Sequence, residues 1–172
     1  MRITIIGHSG GGKSRLATRI SKKFNIPHLH LDTFWFEAKG HHTKGDVARE
    51  ADRPRVEKYV EEKVQHFIAQ DSWVSDGWFG HVQPTIAARA DQIVFIDLSL
   101  LRRLWNQLYR AVFGKRRHPD ITFFDDIKFI SQIVGRTRRQ DQRLRAFVAA
   151  NKEKVVTLHN YHEVEEYLKD LK

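Results

Sequence analysis

The chain has 172 residues and no cysteine. The missing thiols exclude a disulfide scaffold and a thiolate metal site. No apolar run approaches the length needed to span a membrane. Internal repeats, low-complexity tracts and linker-like stretches are also missing, so the expectation is a single domain over residues 1–172. The sequence opens directly on a strand-like run instead of a signal peptide, which makes the cytoplasm the expected compartment. Hydrophobic residues make up 41% of the chain, enough for a real core and against disorder.

What the sequence does have is positive charge, and it is concentrated. The formal net charge is +9. Residues 101–150 hold 12 Lys or Arg against 4 Asp or Glu, while the remainder holds 18 against 17. Nearly all the basicity therefore belongs to one late segment. Such a segment suits a nucleic-acid surface, a set of arginines around a phosphorylated substrate, or a solvated helix face.

The most specific stretch lies near the start. Gly7-His8-Ser9-Gly10-Gly11-Gly12-Lys13-Ser14 fits G-x-x-x-x-G-K-S/T. Before it, Ile3-Thr4-Ile5-Ile6 reads as a buried strand. After it, Leu16, Ile20 and Phe24 have helical spacing. Strand, glycine-rich turn and helix form the setting in which backbone N–H groups and a helix N-terminus hold phosphate oxygens. Lys13 would reach the β and γ phosphates, and Ser14 would offer its hydroxyl to Mg²⁺. The implied nucleotide set is Gly7, Ser9, Gly10, Gly11, Gly12, Lys13, Ser14 and Arg15.

Further along, residues 27–32 read as a second strand ending on Asp32, and residues 33–50 as a long loop. Residues 54–70 read as a helix with Val56, Val60, Val64, Phe67 and Ile68 along one stripe. A third strand covers 72–77, a short helix lies around 83–89, and a fourth strand covers 92–97. Ser99 caps a helix whose stripe is Leu101, Leu104, Trp105, Leu108, Val112 and Phe113. A basic loop at 114–122 and a helical region from about 124 follow. A run without apolar residues spans 135–143, and Leu144, Phe147 and Val148 resume the stripe. A fifth strand at 155–158 and a helix at 161–171 close the chain.

Strands alternating with helices predict an α/β fold with a parallel sheet covered on both faces. Ligands of such sheets bind beyond the carboxyl ends of the strands. The phosphate loop, Asp32, Asp76-Gly77 and Asp97 fall on that rim. Asp76 and Asp97 both qualify as the acid that serves Mg²⁺. Asp97 could equally cap a strand-to-helix turn, and Asp32 could orient an acceptor hydroxyl and take its proton. His28, His30 and Asp32 alternate as a metal-binding strand face would, with His41-His42 nearby, but no H-E-x-x-H pattern accompanies them. Phe34-Trp35-Phe36 and Trp78-Phe79 are candidates for a pocket wall or for core packing.

With these residues laid out, the chain resembles the small P-loop kinases related to adenylate kinase. It looks most like the bacterial group labelled DNA topology modulation proteins. The resemblance rests on residues 7–14, 30–35 (HLDTFW), 73–77 (WVSDG) and 90–98 (ADQIVFIDL) with the arginine-rich helix behind them. It implies a P-loop NTPase three-layer sandwich with strand order 2-3-1-4-5 and a lid at about 114–140. It also favours Asp76 as the Mg²⁺ acid, because the third strand then neighbours the first. Arg110 matches a phosphate-contacting arginine of adenylate kinases, while Asn106 stands where those enzymes have another arginine. Arg116, Arg117, Arg136 and Arg139 are the remaining arginines the resemblance brings to phosphate. The implied reaction is transfer of the γ-phosphoryl group of ATP·Mg²⁺ to a nucleotide, nucleoside or similar small metabolite. The competing expectation is a nucleotide-controlled nucleic-acid-binding protein using residues 101–150. No recognition helix is evident for it.

Replacing Lys13 by Ala is expected to remove ATP turnover, measured as ADP release; unchanged turnover would sink the phosphate-loop reading.

Overall fold

The computed structural model describes residues 1–39, 53–113 and 140–172. The described elements are β1 (Arg2–Gly7), α1 (Lys13–Phe24), β2 (His28–His30), α2 (Leu31–Lys39), α3 (Arg53–Ile68), β3 (Trp73–Asp76), α4 (Gln83–Arg89), β4 (Gln92–Ile96) and α5 (Leu100–Phe113). Residues 140–150 form α6, followed by β5 (Val155–Leu158) and α7 (Tyr161–Asp170). The strands make one sheet in the order β2-β3-β1-β4-β5. This is the order that the family resemblance implies.

Residues 1–6 with 13–94 pack as one compact unit. In it β3 lies parallel to both β1 and β2, pairing Ile5 with Asp76 and His30 with Asp76. Ile3, Ile5, Val74 and Trp73 are fully buried, as expected of strands covered on both faces. The register also pairs Thr4 with Ser75, whose hydroxyls meet at 3.0 Å, so neither buried oxygen is orphaned. Helix α1 buries Leu16, Ala17 and Ile20 against β2 and β3, and α3 packs on α2 and α4. Pro84 occupies the first turn of α4, where its missing N–H costs nothing.

Residues 7–12 with 95–172 form the second unit. Here the N–H of Asp97, just past β4, donates to the Leu158 carbonyl at 2.9 Å. Helix α7 packs on β5 and starts from a reciprocal cap. The Asn160 side chain accepts from the Glu163 N–H, and the Glu163 carboxylate accepts from the His159 N–H.

Two expectations are corrected. Residues 33–39 are not loop, because the chain enters α2 at Leu31. Strand β2 is only three residues long since β3, its partner, ends at Asp76 and offers no further ladder. Leu31 is fully buried, and its Cβ lies 2.9 Å from where a Cβ on Gly77 would sit, so the two residues cap both strands at one place. The second correction concerns α5. An apolar stripe on a helix ordinarily faces the core, yet Leu101, Trp105, Leu108, Val112 and Phe113 are exposed, whereas Arg103 and Gln107 are buried. The polar face of this helix is committed to the loop at residues 7–12, as shown below, and the opposite face therefore turns outward. The expected loop at 114–122, the helical region from about 124 and the lid lie outside the described residues, apart from Gln140. No helix among the described residues is long and apolar enough to cross a membrane.

Ile20→Ala, which deletes a fully buried side chain, is expected to cost about 2–5 kcal/mol in urea unfolding. Trp105→Ser, at a site 62% exposed, should stay within about 0.5 kcal/mol of wild type in the same assay.

Candidate functional site

Helix α1 begins at Lys13, so the last residues of the glycine-rich motif form its first turn and their N–H groups sit at the positive end of the helix dipole. One turn of side chains decides the local chemistry. The Ser14 hydroxyl donates to Asp76 Oδ2 at 2.5 Å. The same carboxylate meets His28 Nε2 at 2.6 Å through Oδ1 and His30 Nδ1 at 3.0 and 3.1 Å through both oxygens. Asp76 is 1% exposed. Burial pushes its carboxyl up, but hydrogen bonds from His28, His30 and Ser14 outweigh it and hold the group well below the usual aspartate range. Asp76 is thus a buried anion with its acceptor positions answered from three segments of chain. His30 turns its other nitrogen towards Asp32, with Nε2 3.9 Å from Oδ2.

The rest of the motif belongs to the second unit. Gly10 has φ +82°, and a Cβ there would lie 2.6 Å from the Arg103 carbonyl oxygen. Only glycine fits so close an approach of backbone to backbone. Helix α5 meets the loop with the polar face Arg103, Asn106, Gln107 and Arg110, spaced i, i+3, i+4, i+7. Asn106 Nδ2 donates to the Gly10 carbonyl at 2.6 Å and to the Tyr161 hydroxyl at 2.5 Å, and Arg110 donates to Gln107 Oε1. Among the described residues, Arg103 Nε and Nη1 and Gln107 Nε2 are buried without a protein acceptor. Burial lowers the Arg103 pKa, and the carboxylates of Asp97 and Asp141 oppose that shift.

The candidates named from sequence divide as follows. Ser14 and Asp76 are in direct contact, Lys13 is half-buried at the helix start, and Arg15 is exposed on the first turn of α1. Asp32 is not at a strand end; it occupies the first turn of α2, beside His30. Asp97 takes a 3.3 Å ion pair from Arg145, so its carboxylate is engaged within its own unit. Arg110 is held by Gln107. Arg116, Arg117, Arg136, Arg139, His41 and His42 lie outside the described residues. Phe34, Trp78 and Phe79 are half-buried. Sequence reasoning passed over His8, Arg103, Gln107, Asp141 and Arg145. The polar stripe at 103, 106, 107 and 110 was legible as the complement of the apolar one, and it marks the face that packs.

Could these groups hold ATP and Mg²⁺? The donors at the foot of α1 are a hydroxyl and a carboxylate. Such hard oxygens suit Mg²⁺, which keeps several waters and completes its shell from substrate phosphates. Among the described residues, no group of three or more His, Asp or Glu is arranged to hold a metal by itself. The imidazoles of His28 and His30 are engaged with Asp76. The loop, free of Cβ atoms at Gly10, Gly11 and Gly12, suits close approach of phosphate oxygens.

No protein-family model and no curated protein sequence matches the chain. Among solved structures it is similar to shikimate kinase from Bacteroides thetaiotaomicron, with a TM-score of 0.60 and 17% sequence identity. The match covers 99% of this chain and 96% of that one. At this identity the likeness establishes the fold alone, a five-stranded parallel sheet with helices.

The Asp76 environment also sets an acid response. Its folded carboxyl binds a proton less readily than the unfolded one, so its contribution is complete above the ordinary value of 3.8 and is lost as pH falls below it. Asp76→Asn should cost about 1.5–3 kcal/mol at pH 7, with the gap to wild type closing in urea titrations below about pH 4.

Proposed function

We propose that the chain is an ATP-dependent kinase that passes the γ-phosphoryl group to a hydroxyl of a small molecule, such as a nucleotide, a nucleoside or a similar metabolite. The observation that carries the reading is the Ser14–Asp76 hydrogen bond at the first turn of α1, directly after a glycine-rich phosphate motif. The fold shared with a shikimate kinase over nearly the whole chain supports it.

In this reading the loop N–H groups and Lys13 bind the triphosphate and neutralise charge on the transferring group. Ser14 and Asp76 are the residues that would hold Mg²⁺, which when bound withdraws charge from the β and γ phosphates. Asp32 holds the acceptor hydroxyl and takes its proton. The acceptor oxygen forms a bond to Pγ, the bond from Pγ to the β–γ bridging oxygen breaks, and ADP leaves with the electron pair. His28 and His30 already hold the Asp76 carboxylate in place, which reduces the ordering left for binding to supply. Arg110 serves phosphate from α5, and Arg116, Arg117, Arg136 and Arg139 complete the cationic set. The DNA topology modulation group remains the proposed affiliation.

The test is coupled ADP release with ATP·Mg²⁺ against a panel of nucleosides, nucleotides and small hydroxy metabolites, with duplex DNA as a separate arm. Stimulation by one small molecule is the expected result and names the acceptor. Asp32→Asn should then lower kcat with that acceptor by about 10²–10⁴-fold. Stimulation by DNA alone, falling steeply with salt, would replace the kinase reading with a nucleic-acid partner.

A further inference from the structure

We infer that Asp141 is a positioning residue for the phosphate loop and that it acts through His8. The inference rests on the reading of Gly7–Ser14 as a nucleotide site. His8 is the second residue of the motif, and it is unlike a loop residue in being only 2% exposed. Its carbonyl accepts the Gly11 N–H at 3.2 Å, so the position of His8 sets the turn that carries Gly10 and Gly11. Its ring is anchored in turn, with Nε2 3.1 Å from Asp141 Oδ1 on α6. A side-chain anchor on a glycine-rich turn supplies the rigidity that the glycines do not.

The anchor itself is built from both sides. Arg145, one turn along α6, donates from Nε to Asp141 Oδ2 at 2.8 Å and from Nη2 to Asp97 Oδ2 at 3.3 Å. Asp97 is tied to β5 through its N–H. The Asp141 carboxylate is therefore located relative to the end of β4 before it meets His8. The charged groups that face His8 are Arg103 on α5, Asp97 beyond β4 and Asp141 on α6. Burial and Arg103 lower the His8 pKa against the two carboxylates, which favours the neutral ring. In that state the Nε2–H donates to Asp141. His8 is thereby fixed without placing a second cation beneath the loop, and the loop N–H groups are held where phosphate oxygens need them.

Nothing in the cradle needs Asp141 to touch the nucleotide. Its role is to keep the turn from relaxing when no phosphate is bound, so its loss should appear in affinity.

The experiment measures ATP·Mg²⁺ binding to the full chain by calorimetry for wild type, Asp141→Ala, Asp141→Asn, His8→Ala and the His8→Ala/Asp141→Ala pair, each with a urea unfolding curve. Asp141→Ala is expected to weaken binding by about tenfold or more while the unfolding midpoint moves little. In the His8→Ala background the same change should alter affinity by less than about twofold, because the route through the ring is already cut. Asp141→Asn keeps one acceptor oxygen for His8 and should fall between wild type and Asp141→Ala; it carries the test if the alanine variant does not fold. Unchanged affinity in both Asp141 variants overturns the inference and leaves the nucleotide reading standing. So does an equal loss with and without His8. Wild type that fails to bind ATP·Mg²⁺ overturns the nucleotide reading itself.

Discussion

A buried carboxylate must be answered, and in this protein the answer to Asp76 organises one half of the molecule. Its side chain is 1% exposed, and an ion of that size left alone in the interior would cost several kcal/mol. Ser14 comes from the first turn of α1, and His28 and His30 come from alternate positions of β2. The three donors therefore fix α1, β2 and β3 to one another at a single point. Strand register makes this possible, since β3 pairs His28 with Val74 and His30 with Asp76. The hydrogen bonds that offset the burial of this charge also hold the carboxylate beside Ser14, in the first turn of α1.

The second constraint is the close approach of α5 to the loop. At Gly10 the two backbones come near enough that any Cβ would collide with the Arg103 carbonyl. Around that contact the helix presents Arg103, Asn106 and Gln107, with Asn106 bonding the Gly10 carbonyl directly. A helix committed through its polar face cannot also bury its apolar one against the same neighbour. Leu101, Trp105 and Phe113 are consequently exposed. Amphipathicity alone would orient this helix the other way, because burial of apolar area normally dominates. Here Asn106 has a specific acceptor on the loop and the Gly10 contact leaves no room for a side chain, so geometry decides the orientation.

The glycine-rich motif and the alternation of strands and helices were legible in the residues, and the sheet order came from the family resemblance. Helix α4 matches its expected span, residues 83–89, and β5 its four residues Val155–Leu158. The end of β2 was not legible. Leu31-Asp32 continues the strand pattern, and nothing local reveals that β3 stops at Asp76 and leaves those residues without a ladder. For the same reason Asp32 was read at a strand end and stands in the first turn of α2. The histidines illustrate a subtler limit. Their alternation on one face was visible, and it suggested ligands for a metal; their shared partner is Asp76, 46 and 48 residues away in the chain.

What the sequence determined by itself was local. It set the glycines that permit the loop, the apolar periods that make strands and helices, and the Lys-Ser pair at the start of α1. Each of these depends on residues within a few positions of one another. The tertiary structure decided which side chains answer which. It gave Asp76 to two histidines and a serine, His8 to Asp141, and the polar face of α5 to Gly10. Those pairings join residues dozens of positions apart, and the lost freedom of ordering them is offset only when the whole chain folds. A short window of sequence carries no record of that balance.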